Sequence, residues 1–137
     1  MRKILLADAV PQSADAVWAV IGDFSGIRKW APAVEAESTE VTPKGKVRTL
    51  TMPGGRQIAE LMTDAGPHHY SYTLPRADLT TYISTVAVTP VDGGGSMIEL
   101  SVLYEPAEGV DMNEATTNLL KFLGGNLKAM KRAAAAG

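Results

Sequence analysis

A long amphipathic helix is predicted at the end of the chain, after a series of short strands. The predicted strands end at Tyr104, and the helix is expected from Asp111, an N-cap residue with Glu114 three positions later, to about Arg132. One helix cannot fill the concave face of a strongly curved sheet, so the space between them is either packed with side chains or open as a cavity. The helical spacing is carried by Leu119, Phe122, Leu123, Asn126, Leu127 and Met130.

Two glycines, Gly124 and Gly125, fall inside this predicted helix. Each is less favourable there than alanine by about 1 kcal/mol. Close backbone packing or a local bend would account for their presence. The last residues, 133–137, are expected to fray.

The elements that precede the helix are separated by clear stop signals. Pro11 ends a first strand, Ser13 is a suitable N-cap for a short helix, and Pro32 ends a further helical turn. Strands are predicted at residues 3–10, 33–41, 46–52, 56–64, 69–74, 80–89 and 97–104. The sequence therefore predicts an α+β fold: a curved seven-stranded antiparallel sheet around a long C-terminal helix, with two short helices between strands 1 and 2.

The composition is that of one globular domain covering residues 1–137. The chain is 45% hydrophobic and 20% charged, which is typical of folded proteins. Its net charge of −2, with scattered Lys and Arg, provides no surface for a nucleic acid backbone. Cysteine is absent, which excludes disulfides, thiol nucleophiles and cysteine-ligated metals.

We expect a cytoplasmic protein without membrane insertion. No segment approaches the ~20 apolar residues of a membrane span. The apolar run at residues 4–7 is followed by Asp8 and is too short for the hydrophobic region of a signal peptide.

Strand alternation assigns one set of side chains to the concave face of the sheet. Successive side chains of a strand point to opposite faces, so the apolar residues identify the inward set. Inward positions are predicted for Arg48, Leu50, Met52, Ile58, Glu60, Met62, Tyr70, Tyr72, Tyr82, Ser84, Leu100, Val102 and Tyr104.

An inward arginine and an inward glutamate on neighbouring strands are unfavourable unless they are paired or hydrated. Arg48 and Glu60 either orient the polar end of a ligand or form a buried ion pair that closes the floor of a cavity, and the two interpretations are compatible. Tyr72 and Tyr82 either donate hydrogen bonds to a ligand oxygen or pack as aromatic core. Trp30 lies either at the cavity mouth or in the core.

The helix supplies the remaining candidates for the wall of a binding site: Leu119, Phe122, Leu123, Asn126 and Leu127. We expect no metal and no cofactor. His68 and His69 are adjacent and would face opposite sides of a strand, so they cannot chelate one ion together.

An ordered set of short motifs runs along the chain: Val17-Trp18, Asp23-Phe24, Trp30-x-Pro32, Gly45-x-Val47-Arg48, Gly55, Glu60-Leu61, Tyr72, Tyr82 and Gly95. Together they resemble the polyketide cyclase/dehydrase-like group of the START/Bet v 1 (SRPBCC) superfamily. The resemblance covers essentially the whole chain and implies a helix-grip fold, with plant abscisic acid receptors as distant relatives.

Three functions are compatible with these residues and this resemblance. The favoured one is binding of a small, largely hydrophobic molecule with a polar or anionic group, by a monomer or homodimer. The second is a cofactor-free cyclase or dehydrase of the aromatase type acting on a polyketide-like substrate, with Glu60 as acid/base and Arg48 stabilising enolate charge. The weakest is a ligand-sensing regulatory module in which the turn at Gly54 moves.

Overall fold

Seven strands and one long helix form the frame of the protein. The structure, a computed structural model, describes all residues from 1 to 137. The strands are β1 (Arg2–Val10), β2 (Ala36–Thr42), β3 (Gly45–Thr51), β4 (Gln57–Gly66), β5 (His69–Thr73), β6 (Leu79–Pro90) and β7 (Ser96–Pro106). The helices are α1 (Ala14–Ile21) and α2 (Met112–Ala136), and Ile27–Lys29 form a single 3₁₀ turn.

The strands form one antiparallel sheet in the order β1-β7-β6-β5-β4-β3-β2. The predicted α+β helix-grip architecture is therefore confirmed, although the second of the two short helices is only one 3₁₀ turn. Neither α1 nor α2 has the length and apolar character that crossing a membrane requires.

The two α-helices begin where capping side chains were predicted. Ser13 accepts a hydrogen bond from the backbone N–H of Ala16, at 3.2 Å. Asp111 accepts one from the N–H of Glu114, at 2.9 Å. Each of these satisfies a donor that the first helical turn leaves without a partner.

Helix α2 is longer than predicted. The expectation that residues 133–137 fray is wrong, because the helix continues to Ala136 and Ala134 is buried. Alanine is the strongest helix former, and burial of Ala134 adds tertiary support at this end. Helix α2 packs against β1, β7 and α1, so it lies towards one side of the sheet.

The buried face of α2 differs from the predicted stripe at one position. Phe122 is 52% exposed, whereas Leu119 and Leu123 are buried. Phe122 follows Leu119 by three residues, which is about 300° around the helix and so about 60° short of a full turn. Its side chain therefore lies at the edge of the buried stripe and not at its centre. The buried face consists of Ala115, Leu119, Leu123, Met130 and Ala134, with Asn126 and Leu127 half-buried beside it.

The glycine pair in α2 is not explained by close packing. A Cβ atom added at Gly124 or Gly125 would have no neighbouring atom within 4 Å, apart from the backbone of the helix itself. An alanine side chain is therefore accommodated at either position without steric conflict.

Replacement of Gly125 by alanine should raise the free energy of unfolding by about 1 kcal/mol, since alanine restricts the unfolded chain and favours the helix. Urea denaturation followed by circular dichroism measures the change. Gly22→Ala is the matched control and should destabilise the protein, because its Cβ would lie 2.2 Å from ring atoms of Trp18. A loss of stability in Gly125→Ala would show that the glycine backbone is required there.

Candidate functional site

A buried ion pair joins β3 and β4. The register of these strands places Arg48 directly opposite Glu60. Arg48 Nε donates to Glu60 Oε1 at 2.7 Å, and the two side chains are 1% and 9% exposed. A charge-assisted hydrogen bond in this setting is strong, and removal of one partner would leave the other charge uncompensated.

Three aromatic rings enclose the guanidinium of Arg48. Its Cζ lies 4.3 Å from the ring centre of Phe24, 4.8 Å from that of Tyr72 and 5.5 Å from that of Tyr70. Nη1 also donates to the carbonyl oxygen of Phe24 at 3.1 Å. Burial opposes the charge, but the neighbouring Tyr70 and Glu60 outweigh it and raise the pKa of Arg48. The buried guanidinium thus holds the carboxylate of Glu60 in place from its interior side.

A cavity of about 480 Å³ lies beside this ion pair, between β4, the segment 74–78 and the first half of α2. The structure brings five of the predicted site residues to it: Ile58, Glu60, Tyr82, Leu119 and Phe122. The cavity has an apolar majority in its lining and one buried carboxylate, which suits a mainly hydrophobic molecule with one polar group.

Glu60 presents one carboxylate oxygen to the cavity. Oε1 accepts from Arg48, while Oε2 accepts no hydrogen bond from the protein and is not sealed from the open space. Tyr82 is the second polar group of the predicted set in the lining, and burial raises the pKa of its hydroxyl. A carboxylate oxygen and a tyrosine hydroxyl therefore line the same cavity.

Six further lining residues were not among the predicted site residues. Arg76 donates from Nε and Nη2 to the two carboxylate oxygens of Asp78, at 2.9 and 2.8 Å, and its Cζ lies 5.0 Å from the ring centre of Tyr82. The hydrogen bonds of this pair raise the pKa of Arg76 and lower that of Asp78. Leu74 continues the alternation of Tyr70 and Tyr72 but was not included among the candidate site residues, and one further step of the alternation reaches Arg76. The full set is Arg56, Leu74, Arg76, Ala77, Asp78 and Asn118.

The other predicted site residues do not reach this cavity. Large rings fill the centre of the concave face, where Tyr70 and Tyr72 lie with their centres 6.1 Å apart. Trp30 is buried and borders a separate cavity of about 220 Å³ beside the C-terminal end of α2. Arg48, Leu50, Tyr70, Tyr72, Ser84, Leu100, Val102, Tyr104 and Leu123 are buried, whereas Met52, Met62, Asn126 and Leu127 are half-buried.

The two histidines are held apart by different partners. His68 Nε2 lies 2.9 Å from Asp15, and His69 Nε2 lies 3.0 Å from Asp64. No group of three or more His, Asp or Glu side chains is arranged to hold a metal ion.

Replacement of Arg48 by methionine should lower the free energy of unfolding by about 3–5 kcal/mol, because the carboxylate of Glu60 would lose its buried partner. Adding Glu60→Leu to this variant should recover most of the loss, since no unpaired charge would remain. Urea denaturation of both variants and the wild type measures the effect. A double variant no more stable than Arg48→Met would show that the ion pair is not the cause.

Raising the pH above about 10 should destabilise the protein through its buried tyrosines. Burial raises the pKa of Tyr70, Tyr72 and Tyr82, so the unfolded chain loses these protons first. The contribution of these tyrosines to the free energy of unfolding is complete at pH values below the tyrosine pKa of the unfolded chain. Above that pH it falls by up to about 1.4 kcal/mol per pH unit for each tyrosine.

Urea denaturation at about pH 8 and about pH 11 checks this, with Tyr72→Phe as the matched variant. The phenylalanine variant should lose less stability over this range than the wild type. Equal losses would mean that Tyr72 does not contribute to the alkaline transition.

Several known proteins share this architecture. Protein XoxI from Bacillus cereus is 28% identical, with a TM-score of 0.81 over 97% of this chain and 95% of that one. A START superfamily protein from Mycobacterium smegmatis is 13% identical, with a TM-score of 0.77 over 98% and 97% of the two chains. The Zhui aromatase/cyclase from Streptomyces sp. R1128 is 16% identical, with a TM-score of 0.69 over 97% and 90%. At the two lower identities the likeness shows the fold alone.

The family assignment comes from the sequence match. No curated protein sequence matches the chain. Residues 5–135, however, match the family described as polyketide cyclase/dehydrase and lipid transport. Because this match spans nearly the whole chain, the protein belongs to the polyketide cyclase/dehydrase and lipid transport family, in agreement with the resemblance found in its sequence and with its helix-grip fold.

Proposed function

We propose that the protein binds a small, mainly hydrophobic molecule whose polar group donates a hydrogen bond to Glu60. The free oxygen of this carboxylate, Oε2, carries the proposal, because it is an unused acceptor at the wall of a mainly apolar cavity. Because Oε2 is accessible from the cavity, a ligand hydroxyl or amine there can donate a charge-assisted hydrogen bond to it, which favours ligands that carry such a donor.

The rest of the lining suits the apolar body of such a ligand. Ile58, Leu74, Leu119 and Phe122 supply hydrophobic surface, and Arg56 provides a cation at the edge that suits an additional anionic group. Burial of about 250 Å² of ligand contributes roughly 6 kcal/mol before the cost of association. Apolar contact alone therefore supports only weak binding, and the hydrogen bond to Glu60 provides selectivity.

The cyclase or dehydrase alternative rests on the same residues. Glu60 and Tyr82 line one cavity and would act as proton acceptor and hydrogen-bond donor towards an enolisable substrate. Arg48 is enclosed by aromatic rings and would act only by positioning the carboxylate. Binding is the favoured function because it requires only the cavity and one acceptor.

A regulatory role for the turn at Gly54 has less support. Gly54 and Gly55 adopt φ values of +88° and +83° in this exposed hairpin turn. The turn geometry by itself requires glycine at these positions, so mobility is not needed to explain them.

Two matched probes test the proposed acceptor. We expect 2-naphthol to bind about 10- to 100-fold more tightly than naphthalene, because only the naphthol donates a hydrogen bond to the carboxylate. In Glu60→Gln, Arg48 Nε holds the amide oxygen, so the NH₂ group faces the cavity. It can donate only to the weakly accepting phenol oxygen, and the preference for naphthol should fall to a few-fold. Ligand fluorescence titration measures both affinities.

Glu99→Gln is the control, since Glu99 lies on the opposite face of the sheet and hydrogen-bonds Thr89. It should retain the preference for naphthol. Equal affinity of the wild type for the two probes would contradict the role of Glu60, and failure of both probes to bind would contradict the cavity as a ligand site. Loss of substrate turnover in Glu60→Gln, if turnover is found, would support the enzymatic alternative.

A further inference from the structure

Strand β5 ends early and leaves a gap inside the sheet. Residues 57–60 of β4 pair only with β3, because the pairing of β4 with β5 begins at Leu61. Residues 79–83 of β6 pair only with β7, because the pairing of β6 with β5 begins at Ser84. Strands lie about 4.8 Å apart, so β4 and β6 are separated here by about 10 Å. The segment 74–78 crosses this gap without strand pairing.

Cavities lie on both sides of the gap. The one that contains Glu60 opens on the concave face. A second cavity, of about 570 Å³, lies on the convex face. Its lining includes side chains of β3 and β4 that point away from the concave face: Val47, Ala59 and Leu61. Both cavities are lined by Leu74, Arg76 and Tyr82. Three side chains therefore separate a site on one face of the sheet from a site on the other.

The partition between the cavities has a fixed part and a movable part. Tyr82 is buried, and its carbonyl oxygen accepts a hydrogen bond from Thr73 Oγ1 at 2.5 Å. Arg76 reaches solvent, with 28% of its side chain exposed, and its partner Asp78 is 43% exposed. The pair is bidentate, yet at this exposure water can replace its hydrogen bonds, so Arg76 can change rotamer while the buried Tyr82 stays in place.

The convex cavity is suited to an alkyl chain. The outer face of a solvated antiparallel sheet is normally polar, yet this lining includes Val47, Leu61, Pro75 and Leu79. It contains no carboxylate and no cation other than Arg76 at the partition. An apolar lining of this kind gains from burial of methylene groups.

We propose that the two cavities form one binding channel through the sheet, which holds an elongated amphipathic molecule with its polar group at Glu60 and its alkyl tail on the convex face. This inference rests on the proposed binding function. Arg76 moves aside to admit the tail, which passes between β4 and β6 where β5 is missing. The ligand class is therefore a long-chain molecule with a hydrogen-bond donor at one end.

A series of primary alcohols from hexanol to decanol tests the channel by isothermal titration calorimetry. Each methylene beyond hexanol should strengthen binding about fourfold, since each is buried as the tail enters the convex cavity. Ala59 lines only the convex cavity, and Ala59→Trp would fill that cavity without reaching the concave one. The variant should therefore bind decanol only as tightly as hexanol, and its affinity for hexanol should be unchanged. Ser38→Trp is the control, because Ser38 is exposed on β2 and lines neither of the two cavities.

The outcomes separate the channel from the binding function itself. If hexanol binds but longer alcohols bind no more tightly, the concave cavity is a closed site and the channel is wrong. If Ala59→Trp leaves the affinity for decanol unchanged, the tail does not reach the convex face and the channel is also wrong. If no alcohol binds, the proposed function itself fails.

Discussion

The ion pair between Arg48 and Glu60 is the constraint on which the interior of the protein depends. A guanidinium that is 1% exposed is stable only when its donors and its charge are matched. Its hydrogen bonds are accepted by Glu60 and by the carbonyl oxygen of Phe24, and its charge faces the rings of Tyr70 and Tyr72. The pair therefore links the β3–β4 register to the segment after α1, and it leaves Glu60 with one oxygen towards open space.

The same interaction decides where the cavity lies. The aromatic residues around Arg48 fill the centre of the concave face, and α2 packs towards β1 and β7. Open space remains beyond the end of β5, where the segment 74–78 replaces a strand. A binding protein and a cofactor-free enzyme would both use this space, since each needs a hydrophobic enclosure with one fixed carboxylate.

The architecture was readable from the sequence because it depends on local signals. Proline and glycine breaks, two N-caps and the spacing of apolar residues located the strands and helices, and the alternation around Arg48 and Glu60 assigned their inward facing. Cavity shape follows instead from how side-chain volumes add in three dimensions. The alternation of side chains along a strand cannot show that Tyr70 and Tyr72 fill the interior while Glu60 borders a cavity. Nor can it show that the guanidinium of Arg76 lies over the ring of Tyr82.

The pairing of β1 with β7 has a consequence for how the protein is made. Arg2 lies opposite Tyr104, so the first strand has no partner until the last strand has been synthesised. Contacts of such long sequence separation form slowly, and strand edges left unpaired meanwhile are prone to aggregation. Residues 2–10 therefore have no strand partner until β7 emerges. The wall of the cavity is likewise completed last, because Leu119 and Phe122 follow β7 in the chain.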